Sequence, residues 1–117
     1  MIQFRNLTVW QKAMDLAERV YACSDKFPRQ EMYGLTSQIR RAAVSIPSNI
    51  AEGKAIGGQS YPRHVKIALG SEAELQTQVE LARRLKMLRD TDAAELLEHA
   101  SEVGRMLVAL LNSLPKN

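Results

Sequence analysis

A row of polar side chains along one predicted helix is the first group of residues in this sequence that could do chemistry. Within residues 38–53 the polar positions recur at intervals of three or four, so they share one helix face. These residues are Gln38, Arg41, Ser45, Asn49 and Glu52. A later stretch carries a matching polar set at helical spacing, namely Glu74, Thr77 and Gln78. Guanidinium, carboxylate, amide and hydroxyl groups placed face to face can form a hydrogen-bonded ion-pair network, or they can bind an anion.

The two polar rows lie on either side of a pair of glycines, residues 57–58, which supplies a chain reversal. If the chain folds back there, residues whose numbers sum to about 115 lie at the same level of an antiparallel helix pair. This register predicts a buried or half-buried ion pair between Arg41 and Glu74. It also places Ser45 opposite Gly70, a residue without a side chain that would allow the helices to approach closely.

Two roles are compatible with this predicted polar core. A matched ion pair would fix the helix register, because burying either charge alone is strongly unfavourable. A site open to solvent would instead bind an anion or a nucleotide. We favour the structural role, because matched buried groups usually satisfy each other. On that interpretation the substitution Arg41→Ala destabilises the fold more than Arg40→Ala.

The sequence pattern favours no catalytic or metal-binding site. Ser45 and Ser48 have no histidine positioned to activate them, because His64 lies near a helix start and His99 on the last helix, where both are expected at the surface or its boundary. The single cysteine, Cys23, can form no internal disulfide and is expected to be a buried or half-buried filler. We therefore predict that the protein is not an enzyme and uses no metal and no cofactor.

Positively charged residues supply another possible chemistry, the binding of phosphate groups. The chain has 16 Lys and Arg against 13 Asp and Glu, a formal net charge of +3. Clustered cations neutralise nucleic-acid phosphates without reading base sequence. The candidates are Lys12, Arg19, Arg40, Arg83, Arg84, Lys86 and Arg89. The alternative, which we favour for a monomer, is a solvated helix surface whose cations complement the negative end of a helix dipole.

Apolar periodicity predicts four helices that position these groups. The first helix is capped by Asn6 and ends near Lys26. The second runs from about Glu31 to Lys54, with Pro47 as its irregular point. The third is capped by Ser60 and continues to about Leu88, and the fourth opens at Asp92 and stops before Pro115. Short links between them predict an all-α fold, an antiparallel up-down-up-down four-helix bundle forming a single domain over residues 1–117. No apolar run is long enough to cross a membrane, and we expect a cytoplasmic protein.

The first and last predicted helices carry broad apolar stripes. The core stripe of the first helix comprises Leu7, Trp10, Met14, Ala17 and Tyr21, and it is broadened by Ala13, Leu16 and Val20. Apolar residues that widen the stripes of the two helices would be left exposed or would meet another subunit; these are Val9, Leu16, Val20, Leu96, Val103 and Leu110. The alternative is a broad core within one chain.

Several motifs run along the chain. They are Leu7 with VWQKA at residues 9–13, Phe27 with Pro28, YGLTSQIRRAAVSIPSNIAEG at residues 33–53, and IALGS at residues 67–71 followed by Glu74, Leu75 and Thr77. Together they resemble the 23S rRNA intervening-sequence protein family. The resemblance implies a four-helix bundle that commonly assembles into a ring-like homopentamer. It also implies a relation to the accessory protein of diversity-generating retroelements, which looks like a basic ring that engages nucleic acid and a reverse transcriptase.

Residues and resemblance together predict a non-enzymatic interaction module. We expect a homo-oligomer, pentameric by the resemblance, that associates with ribosomal or other RNA, or with a nucleic-acid-processing protein, through a basic surface. The alternative is a structural scaffold that binds a protein partner without contacting nucleic acid. Salt dependence separates the two, because phosphate neutralisation makes affinity fall steeply with salt concentration.

Overall fold

Four helices make up nearly all of the computed structural model, which describes residues 3–116. Their bounds are Thr8–Ser24 (α1), Leu35–Ile56 (α2), Ser60–Arg84 (α3) and Asp90–Ser113 (α4). Single 3-10 turns at Phe4–Asn6 and Arg29–Glu31 precede α1 and α2, and the described residues contain no strand. The predicted all-α four-helix bundle is confirmed.

Each helix packs against the next along the chain, and α1 closes the arrangement by packing against α4. Within residues 3–116 the diagonal pairs, α1 with α3 and α2 with α4, bring no Cα atoms within 8 Å of each other. The bundle is therefore a square of antiparallel neighbours, 44 Å long and 23 Å across. It follows that the α1–α2 side and the α3–α4 side face in opposite directions.

The broad apolar stripes of α1 and α4 belong to the core of one chain, which is the alternative that the sequence left open. Residues predicted to be exposed or to meet another subunit lie instead in the core of the single chain: Val9, Leu16, Val20, Leu96 and Val103 are buried, and Leu110 is half-buried against them. Conversely, Met14 and Tyr21, which were assigned to the core stripe, are 38% and 44% exposed. Because α1 contacts both α2 and α4, the residues between those two contacts become the core.

Helix starts also differ from the predicted caps. Asn6 belongs to the 3-10 turn and Leu7 occupies the cap position of α1, while Ser60 is the first residue of α3 and caps nothing with its side chain. The second helix starts at Leu35 and not at Glu31, because Glu31 stays in the preceding turn and its carboxylate accepts the Leu35 N–H at 3.0 Å. The capping carboxylate therefore lies four residues before the N–H from which it accepts, whereas the N-cap patterns used for the prediction place the cap two or three residues before it.

The link between α3 and α4 is longer than predicted. Helix α3 ends at Arg84, and Lys86 then takes a φ of 62°, in the left-handed region that ends helices. That turn lets Leu88 fold back into the core, where it is 7% exposed. Helix α4 begins at Asp90, ahead of the predicted start at Asp92.

Glycines determine the reversal between α2 and α3. Gly57 and Gly58 have φ values of 76° and 56°, which L side chains rarely adopt. Gly53 lies where α2 and α3 approach closely, since a Cβ there would be 2.8 Å from the Cβ of His64. The predicted close approach at Gly70 is wrong, because a Cβ at this exposed position would meet nothing within 4 Å.

We expect Gly53→Ala to destabilise the fold by about 1–3 kcal/mol, because the added methyl group overpacks the α2–α3 contact. Gly70→Ala is the matched control, and we expect it to stabilise the fold by about 0.5–1 kcal/mol, because it removes the conformational freedom of an exposed helical glycine. Chemical denaturation of the two variants measures both effects. Equal unfolding free energies would contradict the close approach at Gly53.

Candidate interaction surfaces

A chain of hydrogen bonds joins α2 to α3. The hydroxyls of Ser45 and Ser71 lie 2.7 Å apart, and the Asn49 side-chain amide donates to the Ser45 carbonyl at 2.8 Å and to its hydroxyl at 3.0 Å. The Asn49 amide oxygen therefore faces the Nδ1 of His64, 2.9 Å away, and accepts its proton. His64 and Ser71 are buried, and Ser45 and Asn49 are half-buried. These pairings match the predicted helix register closely.

Two of the four residues in this series of hydrogen bonds, His64 and Ser71, were not among the predicted polar-core residues. His64 was expected at the surface or its boundary, yet it is 7% exposed and pairs with Asn49. A signal was present in the spacing, because His64, Ser71 and Gln78 recur every seven residues and so lie on one side of α3. All three are buried.

Most of the predicted polar core lies outside the core. Five of its members are exposed, namely Gln38, Arg41, Glu52, Glu74 and Thr77. Arg41 and Glu74 line a cleft of about 480 Å³ without forming a salt bridge to each other in the described chain. The α2–α3 contact at Ser45 and Ser71 leaves them at its outer edge, where both charges stay hydrated.

Glu74 has a hydrogen-bond partner of its own. The Gln78 side-chain amide donates to its carboxylate at 3.3 Å, and the other polar atom of Gln78, its buried amide oxygen, has no partner among the described residues. Thr77 donates to the Ala73 carbonyl at 3.0 Å, one turn back on its own helix. Glu74, Thr77 and Gln78, the predicted polar-core residues of α3, therefore bond within their own helix, and the contact with α2 is made by Ser71 and His64.

The candidate nucleic-acid cations lie in three local settings, which differ in the residues that they contact. Lys12 and Arg19 face α4 and pair with carboxylates there, at 3.4 Å for Lys12 with Glu102, while Arg19 pairs with Glu95. Arg40 lies against the end of α1, and the remaining candidates surround the α3–α4 turn.

Local carboxylates pair with the cations at the α3–α4 turn. Arg83 lies 2.6 Å from Glu80, which also pairs with Arg84 at 3.4 Å, and Arg89 pairs with Asp92 at 3.1 Å. Hydrogen bonding to Arg83 lowers the pKa of Glu80 and raises that of Arg83. Lys86 is the one candidate at this turn without a carboxylate in salt-bridge contact within the described chain.

Arg40 is held more firmly than the other candidates. Its Nε donates to the Ser24 hydroxyl at 2.8 Å, its guanidinium lies 3.2 Å from Asp25, and its Cζ lies 4.5 Å from the centre of the Tyr21 ring. Its side chain is 25% exposed. These contacts tie the beginning of α2 to the end of α1, so Arg40 has a structural role.

An apolar groove runs between α1 and α2. It has a volume of about 550 Å³ and is lined by Phe4, Trp10, Met14, Ala17, Glu18, Tyr21, Val44, Pro47, Ser48 and Ala51. We call this surface the α1–α2 groove. The Trp10 ring is fixed at one end by an edge contact with Phe4, 5.4 Å between ring centres. Val44, on the opposite wall, is 41% exposed.

Two titratable groups are perturbed mainly by burial. Cys23 is half-buried, as predicted, and desolvation raises the pKa of its thiol. Burial likewise raises the pKa of Tyr61, whose ring packs beside Lys54 at 5.5 Å. Across residues 3–116, no three His, Cys, Asp or Glu side chains are grouped in a way that could hold a metal ion. None of the described helices combines the length and apolar character needed to span a membrane.

Comparisons with known proteins identify one family and one fold. A family model described as 23S rRNA-intervening sequence protein matches residues 5–109. The chain is also similar to the crystal structure of a protein with unknown function from the S23 ribosomal protein family of Bacteroides thetaiotaomicron VPI-5482, with a TM-score of 0.83 and 20% identity over 90% of this chain and 96% of that one. At this identity the similarity shows the fold alone. No curated protein sequence matches the chain.

The contacts of Arg40 and Arg41 reverse the order of stability effects that the sequence predicted. We expect Arg40→Ala to destabilise the fold by about 1–2 kcal/mol, because it removes a part-buried hydrogen bond and a cation–π contact. The neighbouring Arg41→Ala changes an exposed side chain and should stay within about 0.5 kcal/mol of the wild type. Thermal denaturation of both variants compares their stabilities directly. A larger loss of stability for Arg41→Ala than for Arg40→Ala would support the ion pair between Arg41 and Glu74 that the sequence predicted.

Proposed function

This chain belongs to the 23S rRNA-intervening sequence protein family, and from that premise we propose that it is a non-enzymatic, cytoplasmic interaction module. It assembles as a homo-oligomer, a ring-like homopentamer by the resemblance, and the assembled ring associates with ribosomal or other RNA. The observation that carries the proposal is the α1–α2 groove. In this groove aromatic and aliphatic side chains lie side by side and partly open to solvent.

The groove supports self-association because of where it lies. Contiguous exposed apolar surfaces often mark interaction sites. On the opposite side of the bundle, Leu69 and Val108 line a second cleft between α3 and α4, and Val108 is 46% exposed. Two different surfaces on opposite sides of one subunit favour head-to-tail association, which produces a closed ring when the rotation between neighbours completes a circle.

RNA association rests on charge. Each copy brings a net charge of +3, and a ring adds these charges on one contiguous surface. The pairs of Arg83 and Arg84 with Glu80 are solvent-exposed and therefore weak, so phosphates can compete for the two guanidinium groups. Lys86 lies between these two residues and Arg89 in the sequence, and no carboxylate of the described chain competes with a phosphate for its ammonium group.

The second candidate function is a scaffold that binds a protein partner and no nucleic acid. The observation that favours it is the pairing of the candidate cations, because six of the seven contact a carboxylate, all except Lys86. A surface whose cations are already paired attracts phosphate less strongly than its net charge suggests.

We expect Val44→Asp to convert the oligomer into monomers, because an interface that covers the α1–α2 groove would have to bury the new carboxylate without a partner. Thr77→Asp is the matched control, since it places the same charge on another exposed helical position. Sedimentation velocity across a concentration series reads the assembly state, and circular dichroism shows that both variants remain helical. If the wild-type protein is a monomer, or if folded Val44→Asp still forms the oligomer, the α1–α2 groove is not the assembly interface.

We expect the assembled protein to bind a labelled ribosomal RNA fragment with an affinity that falls linearly with salt on logarithmic axes. Reversing Arg83, Arg84 and Arg89 to Glu should lower affinity at least about tenfold and reduce the salt dependence. The control reverses three cations near the opposite end, Arg63, Lys66 and Lys116. If an intact oligomer does not bind RNA, or if both triple variants lose affinity equally, the scaffold function takes precedence.

A further inference from the structure

Two opposite charges share a polar cleft between α2 and α3 without pairing. The cleft has a volume of about 480 Å³, and we call it the α2–α3 cleft. It is lined by Gln38, Arg41, Ala42, Ser45 and Glu74. Within residues 3–116, neither Arg41 nor Glu74 forms a salt bridge. The guanidinium and the carboxylate are therefore both available to a ligand.

An incompletely bonded amide lies beside the Glu74 carboxylate. Gln78 is 6% exposed, and its amide nitrogen donates to Glu74 over a long distance of 3.3 Å. Its buried amide oxygen has no partner among the described residues. Such an atom is rare in a native protein and indicates a partner still to be added. A donor bound at Glu74 would replace the long hydrogen bond and leave the Gln78 side chain free to turn its oxygen towards that donor.

The two signs of charge define the ligand. A simple anion is attracted by Arg41 and repelled by Glu74, and a simple cation meets the reverse. A nucleotide finds no stacking surface, because none of the lining residues is aromatic. A zwitterion satisfies both charges. Its carboxylate can accept two parallel hydrogen bonds from the Arg41 guanidinium while its ammonium group donates to Glu74.

The walls of the cleft limit the size and the polarity of the ligand. Ser45 is half-buried and bonded to Ser71, so the cleft is closed where α2 and α3 touch. Of the five lining residues Ala42 alone is apolar, and the exposed Gln38 offers an amide. A volume near the small end of ligand sites with polar walls suits a small polar molecule.

We propose that the α2–α3 cleft binds a free α-amino acid with a small polar side chain. Its carboxylate pairs with Arg41, and its ammonium group pairs with Glu74 and with the amide oxygen of Gln78 once that side chain turns. The lining residues of this cleft belong neither to the α1–α2 groove nor to the cleft between α3 and α4. The site therefore depends neither on assembly nor on RNA binding.

The test titrates the full chain with L-serine and follows the side-chain N–H signals of Arg41 and Gln78 by NMR. We expect saturable shifts of both signals. Two analogues each lack one charge: 3-hydroxypropionate has no ammonium group, and ethanolamine has no carboxylate. Each should bind at least about tenfold more weakly than L-serine, because one charge-assisted pair is lost.

Variants of the two charged residues test the same pairs from the side of the protein. Arg41→Gln and Glu74→Gln should each weaken serine binding at least about tenfold. Both positions are exposed, so we expect both variants to fold, and circular dichroism checks this. The matched controls Lys66→Gln and Glu98→Gln remove the same charges from other exposed helical positions and should leave binding unchanged.

The proposal is overturned if ethanolamine or 3-hydroxypropionate binds as tightly as L-serine, because the cleft then recognises a single charge. Unchanged serine binding by folded Arg41→Gln or Glu74→Gln also overturns it. If no proteinogenic amino acid gives a saturable shift of the two signals, the cleft is not an amino-acid site. Saturation by inorganic phosphate alone would assign the cleft to anions and reject the zwitterion.

Discussion

The close approach of α2 to α3 is the constraint on which the rest of the structure depends. Gly53 removes a side chain where the first turn of α3 passes, and the serine pair at positions 45 and 71 continues the contact with small groups. Once the helices are this close, Asn49 and His64 lose water and must bond to each other. A shift of one residue would break every one of these bonds, so the polar chain selects a single register.

The outer surfaces follow from that register. Charged side chains beside the contact, such as Arg41 and Glu74, remain at its edge in water, where pairing would add little. On the other side of α2, Val44 and Pro47 face α1 across a wider gap that becomes the α1–α2 groove. The groove is apolar and open to solvent, which supports assembly. Most of the candidate cations already pair with nearby carboxylates, which weakens the case for RNA binding. Assembly is therefore the better-supported half of the proposed function.

Much of the fold could be predicted from local patterns. Four helices, the reversal at residues 57–58 and the level at which α2 meets α3 follow from spacing that a few neighbouring residues define. The half-buried position of Cys23 follows from the usual burial of free cysteine. The candidate sites were predicted less well. Seven cations could be named by residue type, but whether a cation is free or paired depends on carboxylates brought close by folding, such as Glu102 beside Lys12.

The sequence by itself determined which segments are helical and where the chain turns, because helix periodicity and glycine conformations are local properties. Only the tertiary structure decided which side of each helix faces inward. The apolar stripe of α1 is wider than one face, so its rotation was free until contact with both α2 and α4 buried Leu16 and left Met14 exposed. The buried Glu72 on α3 shows the same dependence, because its carboxylate occupies space left by Gly104 on α4, where a Cβ would lie 2.9 Å from Oε1 of Glu72.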